Sequence, residues 1–131
     1  VAAGTVGTLA VSPDGATLAT SHREIRLWDT ATGRRVRTLV GHSDGVNSIA
    51  FSPDGELLAS VCDDRTLRPW DVAPGVEIWA IQTSGGLPKA VAFGPDGRSI
   101  TCSAGKDILI YDLHAYDPRV DLWLTGPVVP D

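Results

Sequence analysis

The chain reads as an all-β fold assembled from three copies of one four-stranded antiparallel unit. Two markers that recur in step, together with the absence of helical periodicity, predict it. The turn Ser12-Pro13-Asp14-Gly15 returns as Ser52-Pro53-Asp54-Gly55 and Gly94-Pro95-Asp96-Gly97, at intervals of 40 and 42 residues. An aromatic-aspartate pair follows each turn, as Trp28-Asp29, Trp70-Asp71 and Tyr111-Asp112, at intervals of 42 and 41. Two independent markers thus report one repeat length, and a period of that size belongs to folds whose single unit cannot bury its own apolar surface.

The first copy, about residues 5–41, places strands at 6–11, 17–20, 25–28 and 36–40. The second, about 42–84, is the most complete. Gly41-His42-Ser43-Asp44-Gly45 leads into the β-branched and apolar run 46–51, a strand bounded by turn residues. Pro53 presets φ at the second turn position, Asp54 suits the third, and Gly55 takes the positive φ that closes the hairpin into a strand at 57–60. The polar turn Asp63-Asp64-Arg65 precedes a third strand at 66–70, and Asp71 and Gly75 make the corner into a fourth at 76–81. Pro69 interrupts that third strand and has no N–H for a ladder bond, so a bulge or an unpaired acceptor is expected there, with a locally weak unit. The third copy, about 87–126, has strands at 89–93, 99–102, 108–111 and 120–124. Many of these strands are apolar on both faces, as when sheets stack face to face. The expected architecture is a β-propeller sector of three four-stranded antiparallel blades, part of a larger ring.

Composition bounds the function classes. Of 131 residues, 43% are apolar and 21% charged, which suits a folded, soluble domain. No run approaches the roughly 18 apolar residues of a membrane-spanning helix, and the N-terminus lacks the basic start of a signal peptide. The net charge of −5 argues against general nucleic-acid affinity. Arg34, Arg35 and Arg37, with Arg23 and Arg26 just before them, could form one small positive patch, although short charge runs usually serve solubility. Cys62 and Cys102 form no disulfide framework and have neither CxxC spacing nor a nearby His for metal. They read as buried free thiols in a reducing, cytoplasmic setting, with no cofactor and no metal.

Gly41-His42, followed after 27 residues by Trp70-Asp71 with Ser52-Pro53-Asp54-Gly55 between, resembles the WD-repeat β-propeller family. The Gly-His and Trp-Asp markers separate it from other propellers that share the Ser-Pro-Asp-Gly hairpin. The resemblance implies a buried hydrogen-bonded tetrad of His42, Ser60, Asp64 and Trp70, in which the imidazole bridges a hydroxyl and a carboxylate while the indole N–H donates to the hydroxyl. A nucleophilic triad built from Ser60, His42 and an aspartate is disfavoured, because Ser60 lies mid-strand where no exposed nucleophile or oxyanion site is expected. The outer copies are eroded. The first keeps Thr20 and Trp28 but has His22 near the place of the Asp and Ala2-Ala3-Gly4 for Gly-His. The third has Cys102 for Ser, Tyr111 for Trp and Ser84-Gly85-Gly86 for Gly-His.

The resemblance further implies a non-catalytic scaffold that mediates protein-protein interaction or assembly, contacting a protein or peptide along one rim. Carried onto this chain, the rim positions are Thr5, Gly7 and His22 in the first copy, Gly45, Asn47 and Asp63 in the second, and Leu87, Lys89 and Lys106 in the third. Propellers contain about 4–8 blades, so three leave two faces uncovered, to be met by further blades of the same chain or by self-association. The alternatives are a regulatory propeller attached to a kinase or NTPase, for which no phosphate-binding loop or kinase signature occurs here, and a propeller hydrolase. His22, His42 and His114 occupy non-equivalent positions in their copies and so form no ring about a central channel.

Overall fold

The computed structural model describes residues 7–113. They form three antiparallel sheets and no helix. The first sheet holds β1 (Thr8–Val11), β2 (Thr17–Ser21), β3 (Ile25–Asp29) and β4 (Arg35–Leu39) in chain order. The second holds β5 (Val46–Phe51), β6 (Leu57–Cys62), β7 (Thr66–Asp71) and β8 (Val76–Glu77), with β9 (Ile81–Gln82) also pairing β7. The third holds β10 (Pro88–Phe93), β11 (Ser99–Ala104) and β12 (Asp107–Asp112). The fourth strand expected at 120–124 lies outside the described residues. First strands of successive sheets lie side by side, β1 against β5 and β5 against β10, which is propeller geometry.

The two sequence markers are one structural device. At each Pro-Asp-Gly turn the aspartate's carboxylate takes the N–H two residues on, from Ala16 at 3.0 Å, Glu56 at 2.9 Å and Arg98 at 2.9 Å. In the first two turns the leading serine donates to that same oxygen at 2.6 Å, and these bonds, the serine's foremost, hold Asp14 and Asp54 below the usual carboxylate range. In the third turn Ser99 Oγ fills the space that a Cβ on Gly94 would need, so glycine is the residue that fits there. The residue after each aromatic-Asp pair then donates its N–H back to the residue after the turn: Thr30 to Ala16 at 3.1 Å, Val72 to Glu56 at 3.0 Å and Leu113 to Arg98 at 2.7 Å. Turn and pair close the same end of each sheet, because the hairpin of two strands between them runs out and back.

The middle sheet is apolar on both faces. Val46, Ile49, Leu58 and Trp70 pack on Ala19, Ile25, Leu27 and Leu39 of the first sheet. Ala59, Val61 and Leu67 pack on Ile100, Cys102, Leu109 and Tyr111 of the third. Leu58 and Ala59 are both fully buried although they point to opposite faces, which explains the unbroken apolar runs.

The expected irregularity at Pro69 falls in its outer neighbour. β6 and β7 pair without a shift through Ala59↔Pro69, whereas Ile78, Trp79 and Ala80 stand opposite only Arg68 and Pro69 and split the strand expected at 76–81 into β8 and β9. Pro69 keeps its acceptor satisfied, taking the Ile78 N–H at 2.9 Å. The first sheet shifts register at the same place, between Leu27 and Trp28, with no proline there. The bulge therefore belongs to the unit, and Pro69 occupies a position where ladder bonds are already given up, which removes the reason to expect a weak blade.

Candidate functional site

In the middle blade, His42 comes from the connection between β4 and β5, Ser60 from β6, Asp64 from the β6–β7 turn and Trp70 from β7. The structure joins all four in one hydrogen-bonded chain. Trp70 Nε1 donates to Ser60 Oγ at 2.8 Å, Ser60 Oγ lies 2.5 Å from His42 Nε2, and His42 Nδ1 lies 3.1 Å from Asp64 Oδ2. A carboxylate only accepts, so Nδ1 carries the proton and Nε2 accepts from the serine. The Trp70 and His42 rings also meet edge to face, with centroids 6.1 Å apart.

Burial, against the opposing pull of Asp64, holds His42 below its ordinary value, so the ring is neutral at neutral pH. Burial would raise Asp64, but hydrogen bonds from Thr66, His42 and the Ser43 N–H outweigh it and hold the carboxyl far below the usual range. The pair is thus neutral imidazole beside carboxylate. Gly41 is required by space, since a Cβ there would stand 2.9 Å from Trp70 Cη2 and 2.8 Å from Arg68 Nη1.

Sequence reasoning missed three further members. Thr66 donates to Asp64 Oδ1, and Arg68 reaches Thr66 Oγ1 at 3.1 Å, Asp64 Oδ2 at 3.6 Å and Glu77 Oε2 at 3.1 Å. The signal was available, because Thr66, Arg68 and Trp70 alternate along β7 and so share one face. The outer copies hold fragments of the network. Trp28 Nε1 donates to Thr20 Oγ1 at 2.8 Å in the first. In the third, Tyr111 is buried with its hydroxyl unpartnered among the described residues, and burial, with Cys102 beside it, pushes that phenol up to about 12.

Thr5 lies outside the described residues; the other rim residues are placed as follows. His22 O takes the Val46 N–H at 2.7 Å, and Gly45 O takes the Asp63 N–H at 2.9 Å. Asn47 Nδ2 donates to Asp63 Oδ1 at 2.8 Å and to Pro88 O at 2.9 Å, while Lys89 Nζ lies 3.5 Å from Asp63 Oδ1. The His22–Val46, Asn47–Pro88 and Lys89–Asp63 contacts stitch one blade to the next, and the others lie within the middle blade. Gly7 takes its place through a 2.6 Å bond to Ser21 O, Leu87 O meets the Gly105 N–H at 3.4 Å, and Lys106 is exposed.

One sequence reading needs correction. His42 does approach Cys62, since one donor atom each of His42, Cys62 and Asp64 lie within 4.8 Å of one another. That closeness comes from folding and not from chain spacing. Both His42 nitrogens are already engaged, and burial pushes the Cys62 thiol up to about 11, so the donor set does not suit a metal ion. The arginines do not gather into one patch, in keeping with the reading of them as solvated charges: Ile25 pairs with Leu39 and Trp28 with Arg35, so Arg34 and Arg35 lie at the end of the sheet opposite Arg23.

The family model described as "WD domain, G-beta repeat" matches residues 2–29 and 33–71, and each stretch ends on a Trp-Asp pair. Lissencephaly-1 homolog 1 of Paramecium tetraurelia is 46% identical over 44 residues, 34% of this chain and 11% of that protein. Coronin-7 of Mus musculus is 50% identical over 40 residues, 30% of this chain and 4% of that protein. The chain therefore spans a small part of the curated relatives it matches. In fold it is similar to the Cps50 (Swd1) β-propeller domain of Myceliophteria thermophila, with a TM-score of 0.84 at 19% identity over 98% of this chain and 40% of that one. The marker motifs, the stacked antiparallel sheets and the matched repeats lead to one conclusion: the chain belongs to the WD-repeat β-propeller family.

Proposed function

We propose that the chain is a non-catalytic scaffold sector that holds a protein or peptide partner along the rim carrying His22, Asn47, Asp63, Lys89 and Lys106. The observation that carries this reading is the engagement of the tetrad. Ser60 is fully buried and His42 uses both ring nitrogens inside the sheet, so the residues that could resemble a hydrolytic triad are spent on holding the blade. WD-repeat proteins are typically interaction scaffolds, which supports the same conclusion.

The sector is completed by further blades, from the same chain or from a second copy. Leu9 and Val11 are 60% and 53% exposed on the first sheet's outer face, while the corresponding Trp70 face of the middle sheet is covered by the first. A reducing, cytoplasmic setting suits the free, buried Cys62 and Cys102, which lie in different sheets.

Site-specific photo-crosslinkers test the reading. Placed at His22, Lys89 and Lys106 they should capture the same protein, whereas crosslinkers at Pro13 and Pro53, on the opposite rim, should not. Equal capture at both rims would contradict it, as would a hydrolase activity abolished by His42→Ala in a chain that still folds.

A further inference from the structure

Four Asp-Gly steps lie in the chain, Asp14-Gly15, Asp44-Gly45, Asp54-Gly55 and Asp96-Gly97. An aspartate followed by glycine is open to ring closure, because no Cβ on the next residue shields its backbone nitrogen from the aspartate's own side chain. At three of the four the fold withholds that reaction. The carboxylates of Asp14, Asp54 and Asp96 are turned onward to the N–H two residues on, and the Gly15, Gly55 and Gly97 N–H groups donate back to the carbonyls of Ser12, Ser52 and Gly94 at 2.9, 2.9 and 3.0 Å. Asp44 is arranged differently. It is exposed, its Oδ1 accepts the very next N–H, that of Gly45, at 2.8 Å, and that N–H has no backbone carbonyl partner among the described residues. Cγ, one bond from Oδ1, is therefore held beside the Gly45 nitrogen.

We propose that Asp44 is a site of spontaneous backbone isomerisation, at which it closes on Gly45 to a succinimide and reopens as isoaspartate. The Gly45 nitrogen attacks Cγ of the protonated carboxyl, the N–H proton and the carboxyl OH leave as water, and a five-membered imide forms. Water then adds to one of its two carbonyls. Opening at the side-chain carbonyl restores aspartate, whereas opening at the main-chain carbonyl leaves the chain running through the former side chain, one carbon longer. The bond from Gly45 to Oδ1 holds nucleophile and electrophile together, which is how a fixed geometry speeds an intramolecular step. The added carbon falls where register matters. Gly45 O takes the Asp63 N–H at 2.9 Å, and the Val46 N–H donates to His22 O at 2.7 Å, from the second blade to the first. Isomerisation at Asp44 therefore loosens the seam between two blades.

The test is isoaspartate mapping of the full chain, kept folded for weeks slightly below neutral pH, by electron-transfer fragmentation of its peptides. Isoaspartate should accumulate at Asp44 at least about tenfold faster than at Asp14, Asp54 or Asp96, whereas in the urea-unfolded chain the four sites should react at like rates. Gly45→Ala should slow Asp44 by a similar factor with an unchanged urea midpoint. Gly45 is not at positive φ, and a Cβ there would lie 3.7 Å from Asp63 Oδ2 and 4.0 Å from His22 O, ordinary contacts that leave the fold intact. Asp44→Glu should abolish the reaction, since its longer side chain cannot close a five-membered ring. In the aged chain, hydrogen exchange should quicken at Val46 and Asp63. Equal accumulation at the four sites of the folded chain, none at Asp44, or an unslowed Gly45→Ala would each overturn the inference.

Discussion

Ser60 Oγ lies 2.5 Å from His42 Nε2, joining the second strand of the middle sheet to the connection that enters it. The same oxygen accepts the Trp70 indole N–H at 2.8 Å, so one hydroxyl serves an aromatic anchor and a ring that in turn holds Asp64. Removing one member leaves buried polar groups without partners, and that cost exceeds the net worth of the bond itself. His42→Ala should lower unfolding free energy by about 2–4 kcal/mol, since the Ser60 hydroxyl and the Asp64 carboxylate both lose a partner. Urea denaturation with an unchanged slope measures it.

The third copy supplies the opposite case. Tyr111 is 3% exposed and its hydroxyl bonds nothing among the described residues, so Tyr111→Phe should be neutral or stabilising by up to about 1 kcal/mol. Trp70→Phe, at the equivalent position in the intact blade, should destabilise by about 2–4 kcal/mol through lost volume and an unmatched Ser60. Thermal unfolding of the two variants side by side checks the contrast.

Acid should destabilise the fold in two steps. His42 sits below its ordinary value of 6.5 in the native state, so the unfolded chain binds its proton first. Stability is full above about pH 7 and falls as pH drops through 6.5 toward the native value. Protonating Nε2 also turns the Ser60 hydroxyl toward the Arg68 carbonyl, 3.4 Å away. Asp64, also held low, adds a second loss below about pH 4. His42→Gln should flatten the first step and retain the second in unfolding curves taken from pH 8 to pH 3.

Asn47 spans two sheets through one amide nitrogen, so Asn47→Ala should cost about 1 kcal/mol and loosen the docking of the third sheet on the second. Hydrogen exchange should quicken in residues 88–93 before it quickens in residues 57–71. Uniform quickening would count against this role.

On the first sheet, Leu9 pairs with Thr20, Val11 with Leu18 and Leu18 with Trp28, so these residues share the face turned from the middle blade. With that face open the isolated chain should self-associate, and Leu9→Lys with Val11→Glu should shift light scattering toward the monomer. A wild-type monomer that unfolds cooperatively would contradict the need for further blades.

Much of this was legible in the residues. The turns and aromatic-Asp pairs located the hairpins because Pro13, Asp14 and Gly15 have few other conformations to adopt. The split of the strand at 76–81 was not legible, since it depends on register against Pro69 and not on any local preference of Ile78 or Trp79. Nor was the proximity of Cys62 to His42, two residues 20 positions apart that only the folded sheet brings together. The rim was legible as a set of positions but not as a set of roles: nothing local says that Asn47 bonds to Pro88, because the partner belongs to another blade.

The central claim is that His42, Ser60, Asp64 and Trp70 act as one structural unit. A double-mutant cycle on His42→Ala and Ser60→Ala, read by urea unfolding, tests it most directly. A shared network predicts a coupling of at least about 1 kcal/mol, with the double variant less destabilised than the two single changes together. Additivity within about 0.5 kcal/mol would contradict it and reduce the tetrad to four independent buried side chains.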